Sequence, residues 1–472
     1  MADDLAPLLA GSRDGRTFAL AGSAAEPFVA GDMVTASLPD GTTVLGQLLD
    51  VGDGPDGGLA ANGVVVGTVA ADGALDRRAR PTFAEASVAA ATPELLSGLQ
   101  EGVAAATRIG TWLTAGREAP ALLRAGGFNR HTFLCGQSGS GKTYALGVVL
   151  ERLLIDTELR VAVLDPNADF VRLDDVRDGA RGEDAERLRS RTIRVLRSDA
   201  SRADGKEQPL RLRFRTMPRA AQAAVLQLDP VLDNDEYNAF VRFVAGLGGV
   251  DLGGLLEGLR AGTPAEQQLA RRMENLGLTD WEVWARDLDS AADVVTGGSG
   301  VTIMDLGGFR HPGEPVAVAL EVVEELWAQR DRRIPTLVVI DEAHNLCPAA
   351  PEGPVARLLV DRLIQIAAEG RKYGLWLFLS SQRPSKIHPQ VLSQCDNLVL
   401  MRMNSPDDIA ELGRVFGFVP PAMLSASTGF LQGEMLLAGP MAPVPMLARV
   451  RERLTREGGS DVAVPLATRP TP

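Results

Sequence analysis

Short apolar runs separated by turn residues open the chain. Between about Thr17 and Val69 the runs TFAL, MVTASL, TVLGQLLDV and GVVVGTV are divided by Gly, Asp and Pro, the pattern of short strands closing a small β-barrel, here assigned to residues 1–80. Residues 81–126 are Ala-rich with scattered polar positions and read as a connector. From Thr132 the pattern changes. TFLCG, RVAVLD, VTIMDL, TLVVIDE and LWLFLSSQ are strand-length apolar runs, and YALGVVLERLL, EPVAVALEVVEELWAQR and VARLLVDRLIQIAAEG between them have helical spacing. Strands alternating with helices predict an α/β core with a mostly parallel sheet over 127–170 and 300–450. The alternation is broken over 171–299 by an Arg-rich stretch and by helical segments around DNDEYNAFVRFVAG and TPAEQQLARRMENLG, which predicts an inserted helical subdomain, and 451–472 remain as a C-terminal tail. The Arg-rich stretch has nearly as many acids as bases near its start and reads as a salt-bridged surface.

Composition narrows the class. A chain of 472 residues exceeds a single core, which stops growing near ~250–300 residues, so two or three domains are expected. Hydrophobic residues at 45% and charged residues at 23% suit a globular protein and exclude a largely disordered one. The net charge of -13 excludes a protein that coats nucleic acid with its whole surface, but leaves room for a basic pore. No apolar run approaches the ~18 residues of a membrane span, and MADDLAPLLAGSRDG lacks the basic and apolar regions of a signal peptide, so a cytoplasmic protein without membrane contact is expected. Cys135, Cys347 and Cys395 form no CxxC or zinc-spaced cluster.

The chemistry begins with GQSGSGKT, in which Gly136, Gln137, Ser138, Gly139, Ser140, Gly141, Lys142 and Thr143 fit the phosphate-binding loop G-x-x-x-x-G-K-[ST]. The context agrees, since a strand-type run enters the loop and a helix-type run leaves it. Glycines let successive backbone amides turn toward a phosphate, and the helix start adds a favourable dipole. Lys142 would place a mobile positive charge on the β- and γ-phosphates of ATP, and Thr143 its hydroxyl on Mg2+. Cys135 is expected to pack beneath the loop.

In TLVVIDEAH an apolar run delivers Asp341 and Glu342 to a strand's C-terminal end, where open α/β sheets place their chemistry. Asp341 would hold Mg2+ through a water, and Glu342 would polarise the water that attacks the γ-phosphate. LWLFLSSQ ends in Ser381 and Gln382, of which Gln382 is the candidate sensor of that water or phosphate. A cation on the transition-state oxygens often comes from a neighbouring subunit in ring ATPases. Arg371 in EGRKYG is the first candidate, ahead of Arg383 and Arg402.

Together GQSGSGKT, VLDPNADF, VVIDEAHNLCP, EGRKYGLWLFLSSQRPSKIHPQVLSQCDNLVLMR and GFLQGEMLLAG resemble the HerA family of the HerA/FtsK superfamily, over nearly the whole chain. FVAGDMVTASLPDGTTVLGQLLDV is similar to the small barrel shared by HerA proteins and rotary ATP synthase subunits. The resemblance implies a RecA-like P-loop ATPase core, a homo-hexameric ring, translocation along double-stranded DNA, and a partner nuclease or antiphage defence effector. It also implies the catalytic positions for Lys142, Thr143, Asp341, Glu342 and Gln382, with Arg371 the inter-subunit arginine. Asn167 and Asp169 stand where many relatives have His and Glu, which leaves the duty of Asp169 open. Without membrane spans or a C-terminal winged helix in this sequence, an FtsK-type protein is not the expectation. Two other readings stay open: a ring-shaped ATPase scaffold that organises a partner enzyme, and a DNA-pumping ATPase of conjugative-transfer type.

Overall fold

Alternation of inward apolar and outward polar residues closes the N-terminal strands on themselves. In the computed structural model, which describes residues 7–24, 26–54, 57–70, 73–199, 207–246, 252–285 and 288–459, the antiparallel strands Leu9–Ser12, Thr17–Gly22, Leu59–Val69, Thr43–Asp53, Met33–Ser37 and Phe83–Ala90 follow one another around a barrel. Thr17–Gly22 closes it by pairing with both Leu9–Ser12 and Leu59–Val69. Phe18, Leu20, Val34, Val44, Leu48, Val65 and Phe83 fill the interior.

The second sheet has 12 strands. In spatial order they are Glu207–Pro209, Ile193–Arg197, Val301–Asp305, Arg160–Asp165, Thr336–Ile340, Leu375–Ser381, His131–Cys135, Cys395–Leu400, Glu434–Ala438, Met446–Val450, Thr107–Thr114 and Arg117–Leu123. Pairing is parallel as far as Cys395–Leu400 and antiparallel beyond it. The central strands are buried along their whole length, which accounts for their unbroken apolar sequence, since helices cover both faces. Phe133, Leu164, Ile340 and Leu377 face one core, with the helices Gly313–Ala328 and Pro354–Glu369. Leu134, Val163, Val339 and Phe378 face the other, with the helix Lys142–Asp156. This is the α/β core with an N-terminal barrel that the periodicity predicts.

Residues 81–126 differ from the connector reading. They supply a barrel strand, Phe83–Ala90, the helix Pro93–Glu101, and the hairpin Thr107–Thr114/Arg117–Leu123 at the antiparallel edge of the large sheet. The many Ala and Gly residues here flatten the contrast between inward and outward positions, yet Ile109, Trp112, Ala119, Ala121 and Leu123 are buried. Likewise the stretch 171–299 contributes two strands to the parallel edge as well as helices, and Phe240, Leu255, Leu259, Leu269 and Met273 from those helices join the core of the sheet. Thr263 and Glu266 form a capping box at the helix Pro264–Asn275. Arginines of this region pair with acids, among them Arg172 with Asp175, Arg187 with Glu183, Arg191 with Glu158 and Arg213 with Asp293. Among the described residues no helix is long and apolar enough to cross a membrane.

One buried acid joins the inserted region to the core. Glu321, on Gly313–Ala328, is 4% exposed and accepts a hydrogen bond from the Arg213 amide at 3.0 Å. Burial pushes its carboxyl up to about 8, against the lowering effect of that amide. Between its unfolded value of 4.5 and about 8 the native state keeps a proton that the unfolded chain has released. Stability from this group is therefore full below the window and falls by roughly 1.4 kcal/mol per pH unit across it, levelling above. Denaturant unfolding of wild type and Glu321→Gln from pH 5 to 9 should give a difference curve with that descending slope. A flat difference would mean that the carboxyl is charged in the native state.

Candidate nucleotide-binding site

The strand His131–Cys135 enters the loop from the middle of the sheet. Gly139 and Gly141 have φ of +74° and +95°, a region that suits glycine, and they turn the chain into the helix Lys142–Asp156. No side chain caps this helix, so its first amides remain open to an anion. Neighbouring strand ends pin the loop. The Gln137 amide donates to the Arg402 carbonyl at 2.9 Å and the Gly433 amide to the Ser140 carbonyl at 3.1 Å. Cys135 is fully buried beneath, its thiol pushed up by burial.

Three further predicted residues converge on Lys142. Its Nζ donates to Glu342 Oε1 at 2.9 Å and stands 3.9 Å from Asp341 Oδ1, while Gln382 Nε2 donates to the same Glu342 oxygen at 3.1 Å. They meet because Thr336–Ile340, Leu375–Ser381 and His131–Cys135 are parallel neighbours whose C-terminal ends open on one edge. Glu342 has φ +42°, a left-handed conformation that costs a non-glycine residue of order 1–3 kcal/mol and turns its side chain's backbone sharply off the strand. His344 Nδ1 lies 3.3 Å from Glu342 Oε2 and 3.3 Å from Ser381 Oγ. Burial raises the Asp341 carboxyl, with Lys142 offsetting part of the effect. Burial also acts to raise Glu342, but the hydrogen bond and charge of Lys142, helped by Gln382, outweigh it and hold this carboxyl below its ordinary value.

Asp165, which the motif reading passed over, carries the same signal as Asp341: an acid at the end of a buried apolar strand. It accepts hydrogen bonds from the amides of Asp169 at 3.1 Å and Phe170 at 2.8 Å. Carboxylate oxygens of Asp165, Asp169 and Asp341 lie within 4.8 Å of one another. Burial, with the neighbouring Asp341 adding to it, pushes Asp165 up to about 7 and Asp169 to about 6. Neither oxygen of Asp341 has a hydrogen bond of ordinary geometry among the described residues. This oxygen-only set, short of positive charge, fits a hard divalent cation. Thr143 lines the same pocket as Lys142, Glu342 and Gln382.

The arginines lie elsewhere. Arg371 precedes the strand Leu375–Ser381 and Gln382 follows it, so Arg371 is at the opposite end of the strands, where it shares Asp396 (2.7 Å) with Arg130 (3.4 Å). Arg383 is exposed, and Arg402 touches the loop through its carbonyl.

A second unanticipated element is the segment after the last strand, which returns to the phosphate-loop helix. Glu151, 1% exposed, accepts from the amides of Leu454 (2.9 Å) and Thr455 (2.8 Å) and from Thr455 Oγ1 (2.6 Å). Arg453, 2% exposed, brings Nε to 3.5 Å from Glu151 Oε1, and its guanidinium lies 5.8 Å from the Phe170 ring centre. Gly147 makes room for it, since a Cβ there would fall 2.6 Å from Arg453 Cζ. The Gly458 amide then donates to the Asp169 carbonyl at 3.0 Å, and Glu457 lines the pocket with Gln432, Gly433 and Val450.

Residues 107–246 match the family model described as "Helicase HerA, central domain". A probable helicase of Methanocaldococcus jannaschii is 31% identical over 28% of this chain and 25% of its own length. The DNA double-strand break repair helicase HerA of Pyrococcus furiosus is 31% identical over 25% of this chain and 20% of its own. The chain thus matches about a quarter or less of the length of these curated relatives, a narrower span than the motif resemblance covers. Among solved structures, VirB4 of Thermoanaerobacter pseudethanolicus is similar at 16% identity and a TM-score of 0.49, over 74% of this chain and 96% of that one. The bacterial conjugative coupling protein TrwB is similar at 14% identity and a TM-score of 0.44, over 75% of this chain and 90% of that one.

The returning segment has a measurable consequence. Glu151→Gln removes the nearest counter-charge of the buried Arg453 and should lower unfolding stability by about 3–5 kcal/mol. Adding Arg453→Met removes the orphaned charge and should restore a large part of it. Denaturant unfolding of the single and double variants checks this, and equal stability of all three chains would show that the pair is not closed in solution.

Proposed function

From the match of residues 107–246 to the central domain of helicase HerA, we propose that this chain is a HerA-type P-loop ATPase that hydrolyses ATP to drive double-stranded DNA through a homo-hexameric ring. The observation that carries the proposal is the convergence of Lys142, Asp341, Glu342 and Gln382 beside an uncapped helix start. A triphosphate arriving at Gly136–Thr143 draws Lys142 from Glu342 onto the β- and γ-phosphates. Glu342, freed of its cation, then orients and deprotonates the attacking water, and the Gln382 amide holds that water or the γ-phosphate in line. Thr143 and Asp341 would hold Mg2+, with Asp165 and Asp169 close by, and the ion when bound neutralises phosphate charge.

Arg371 is proposed as the cation supplied to the next subunit's nucleotide. The strand between it and Gln382 has 7 residues, a span of roughly 20 Å, which is too far for it to serve its own site. Duplex DNA as cargo and a nuclease or antiphage effector as partner complete the proposal; the names of the related archaeal helicases support the first of these.

Lys142→Ala should lose tight ATP binding and turnover together, because the loop loses its mobile cation. Glu342→Gln should still bind ATP yet hydrolyse it roughly 10²–10⁴ times more slowly. Calorimetric binding with phosphate release separates the two variants, and normal turnover by Lys142→Ala would remove the proposal.

Arg371→Ala should cut turnover by ~10³ with a smaller change in ATP affinity. Rings mixed from Arg371→Ala and Lys142→Ala subunits contain composite sites with both residues intact, and these should recover activity above either parent. Mass photometry identifies the rings. A fully active monomer would overturn both the ring and the role of Arg371.

A further inference from the structure

Five arginines unconnected with the nucleotide site lie on two segments of the barrel: Arg13 and Arg16 in SRDGRT, and Arg77, Arg78 and Arg80 in DRRAR. All five are exposed. The segments interlock. Gly15 has φ +68° and approaches so closely that a Cβ would fall 2.2 Å from the Arg80 carbonyl oxygen, so no other residue fits between them. Each turn is built from within. The Gly15 amide donates to Ser12 Oγ at 3.0 Å, Thr68 Oγ1 to the Ala79 carbonyl at 2.7 Å, and Arg80 Nε to the Arg77 carbonyl at 3.3 Å.

The two acids of these segments are committed to backbone. Asp14 accepts from the Arg16 and Thr17 amides at 2.8 Å each, and Asp76 from the amides of Arg78 at 2.8 Å and Ala79 at 3.3 Å. Among the described residues, none of the five guanidiniums is in an ion pair. Several other arginines, among them Arg152, Arg191, Arg197, Arg213 and Arg362, pair with acids. The register also sets the direction of the patch. Ser12 lies opposite Phe83 at the start of Phe83–Ala90, whereas the other end of that strand, at Ala90 and Ala91, leads to the helix and hairpin of the large sheet. The arginines therefore sit together at one end of the barrel's strands.

We infer that this cluster is a docking surface for the phosphate backbone of duplex nucleic acid, contacted outside the ring's motor core; the inference rests on the proposed function and extends it to the barrel. Guanidinium groups match phosphate oxygens two at a time, and a cluster of five on a protein of net charge -13 gives a local attraction for a polyanion. An acidic protein partner fits less well. Protein interfaces centre on apolar anchors, and the exposed large hydrophobic residues of the described chain, such as Val231, Leu232, Phe418 and Leu431, include none from these two segments. Phosphate contact of this kind carries no base sequence, so it would position the duplex and raise its capture rate without choosing a site.

The experiment compares the full chain with a variant carrying Gln at positions 13, 16, 77, 78 and 80, using a fluorescent blunt duplex titrated over a range of salt. The expected result is a loss of affinity of roughly tenfold or more at ~100 mM salt, with the log–log salt slope shallower by about 2–4. Turnover without DNA should be unchanged, because none of these residues lines the pocket at Lys142, and this also verifies folding. A companion variant with Lys at the same positions should retain most of the affinity. If wild type binds the duplex and the Gln variant binds it with the same affinity and slope, the cluster is not the docking surface, although the DNA reading survives. If wild type fails to bind at low salt, the DNA reading itself falls and takes this inference with it. If the Gln variant keeps duplex binding but loses binding of polyglutamate, the surface belongs to an acidic polypeptide and the inference is overturned.

Discussion

The Lys142 ammonium is almost withdrawn from water, its side chain only 6% exposed, and a charge so placed requires opposite charge within a few ångströms. No residue near it in sequence can provide that. The nearest carboxylates along the phosphate loop's own helix point elsewhere, and the charge is met by Glu342 and Asp341 at 2.9 and 3.9 Å, about two hundred positions later in the chain. Holding the three groups together requires their strands to be parallel and adjacent, with ends at a common level. The strand order of the large sheet and the burial of its central strands on both faces are what satisfy this requirement.

The same edge gathers more negative charge than one lysine neutralises. Asp165 and Asp169 join Asp341, and burial raises all three carboxyls. Stability is given up locally in the left-handed backbone of Glu342. It is recovered in the surrounding packing, where the helix Lys142–Asp156 is enclosed by the hairpin at Trp112 and by the returning segment at Arg453. Both flanks of the large sheet thus support the phosphate loop: the stretch before it through Thr107–Leu123, and the stretch after the last strand through the Glu151 network.

Charge is sorted by position as well as by sign. Within the core and the inserted region many arginines serve as structural counter-ions, Arg362 and Arg213 among them, whereas the five of the barrel's two segments are exposed and in no ion pair among the described residues. Arg371 and Arg130 are intermediate, two guanidiniums sharing one half-exposed carboxylate, Asp396, at the end of the strands remote from their own phosphate loop. A shared carboxylate is a weak hold, because two cations divide one counter-charge.

Local sequence determined what depends on near neighbours. The phosphate loop is legible because glycine at Gly139 and Gly141 and the lysine after them act within a single turn, and the strands around it because burial on both faces demands unbroken apolar runs. Asp341, Glu342 and Gln382 were legible for the same reason, as polar residues that end such runs. Asp165 had an equal signal in RVAVLD and was hidden only by the motif's stronger neighbours. What periodicity does not encode is which distant segments meet. The Ala-rich stretch 81–126 had too little contrast between its faces to announce a barrel strand and a sheet hairpin, and Glu151 with Arg453, or Gly15 with Arg80, have no meaning until the chain brings residues tens or hundreds of positions apart into contact. Those pairings were decided by tertiary structure, because a buried charge or a close backbone approach is a property of the space between segments and not of either segment alone.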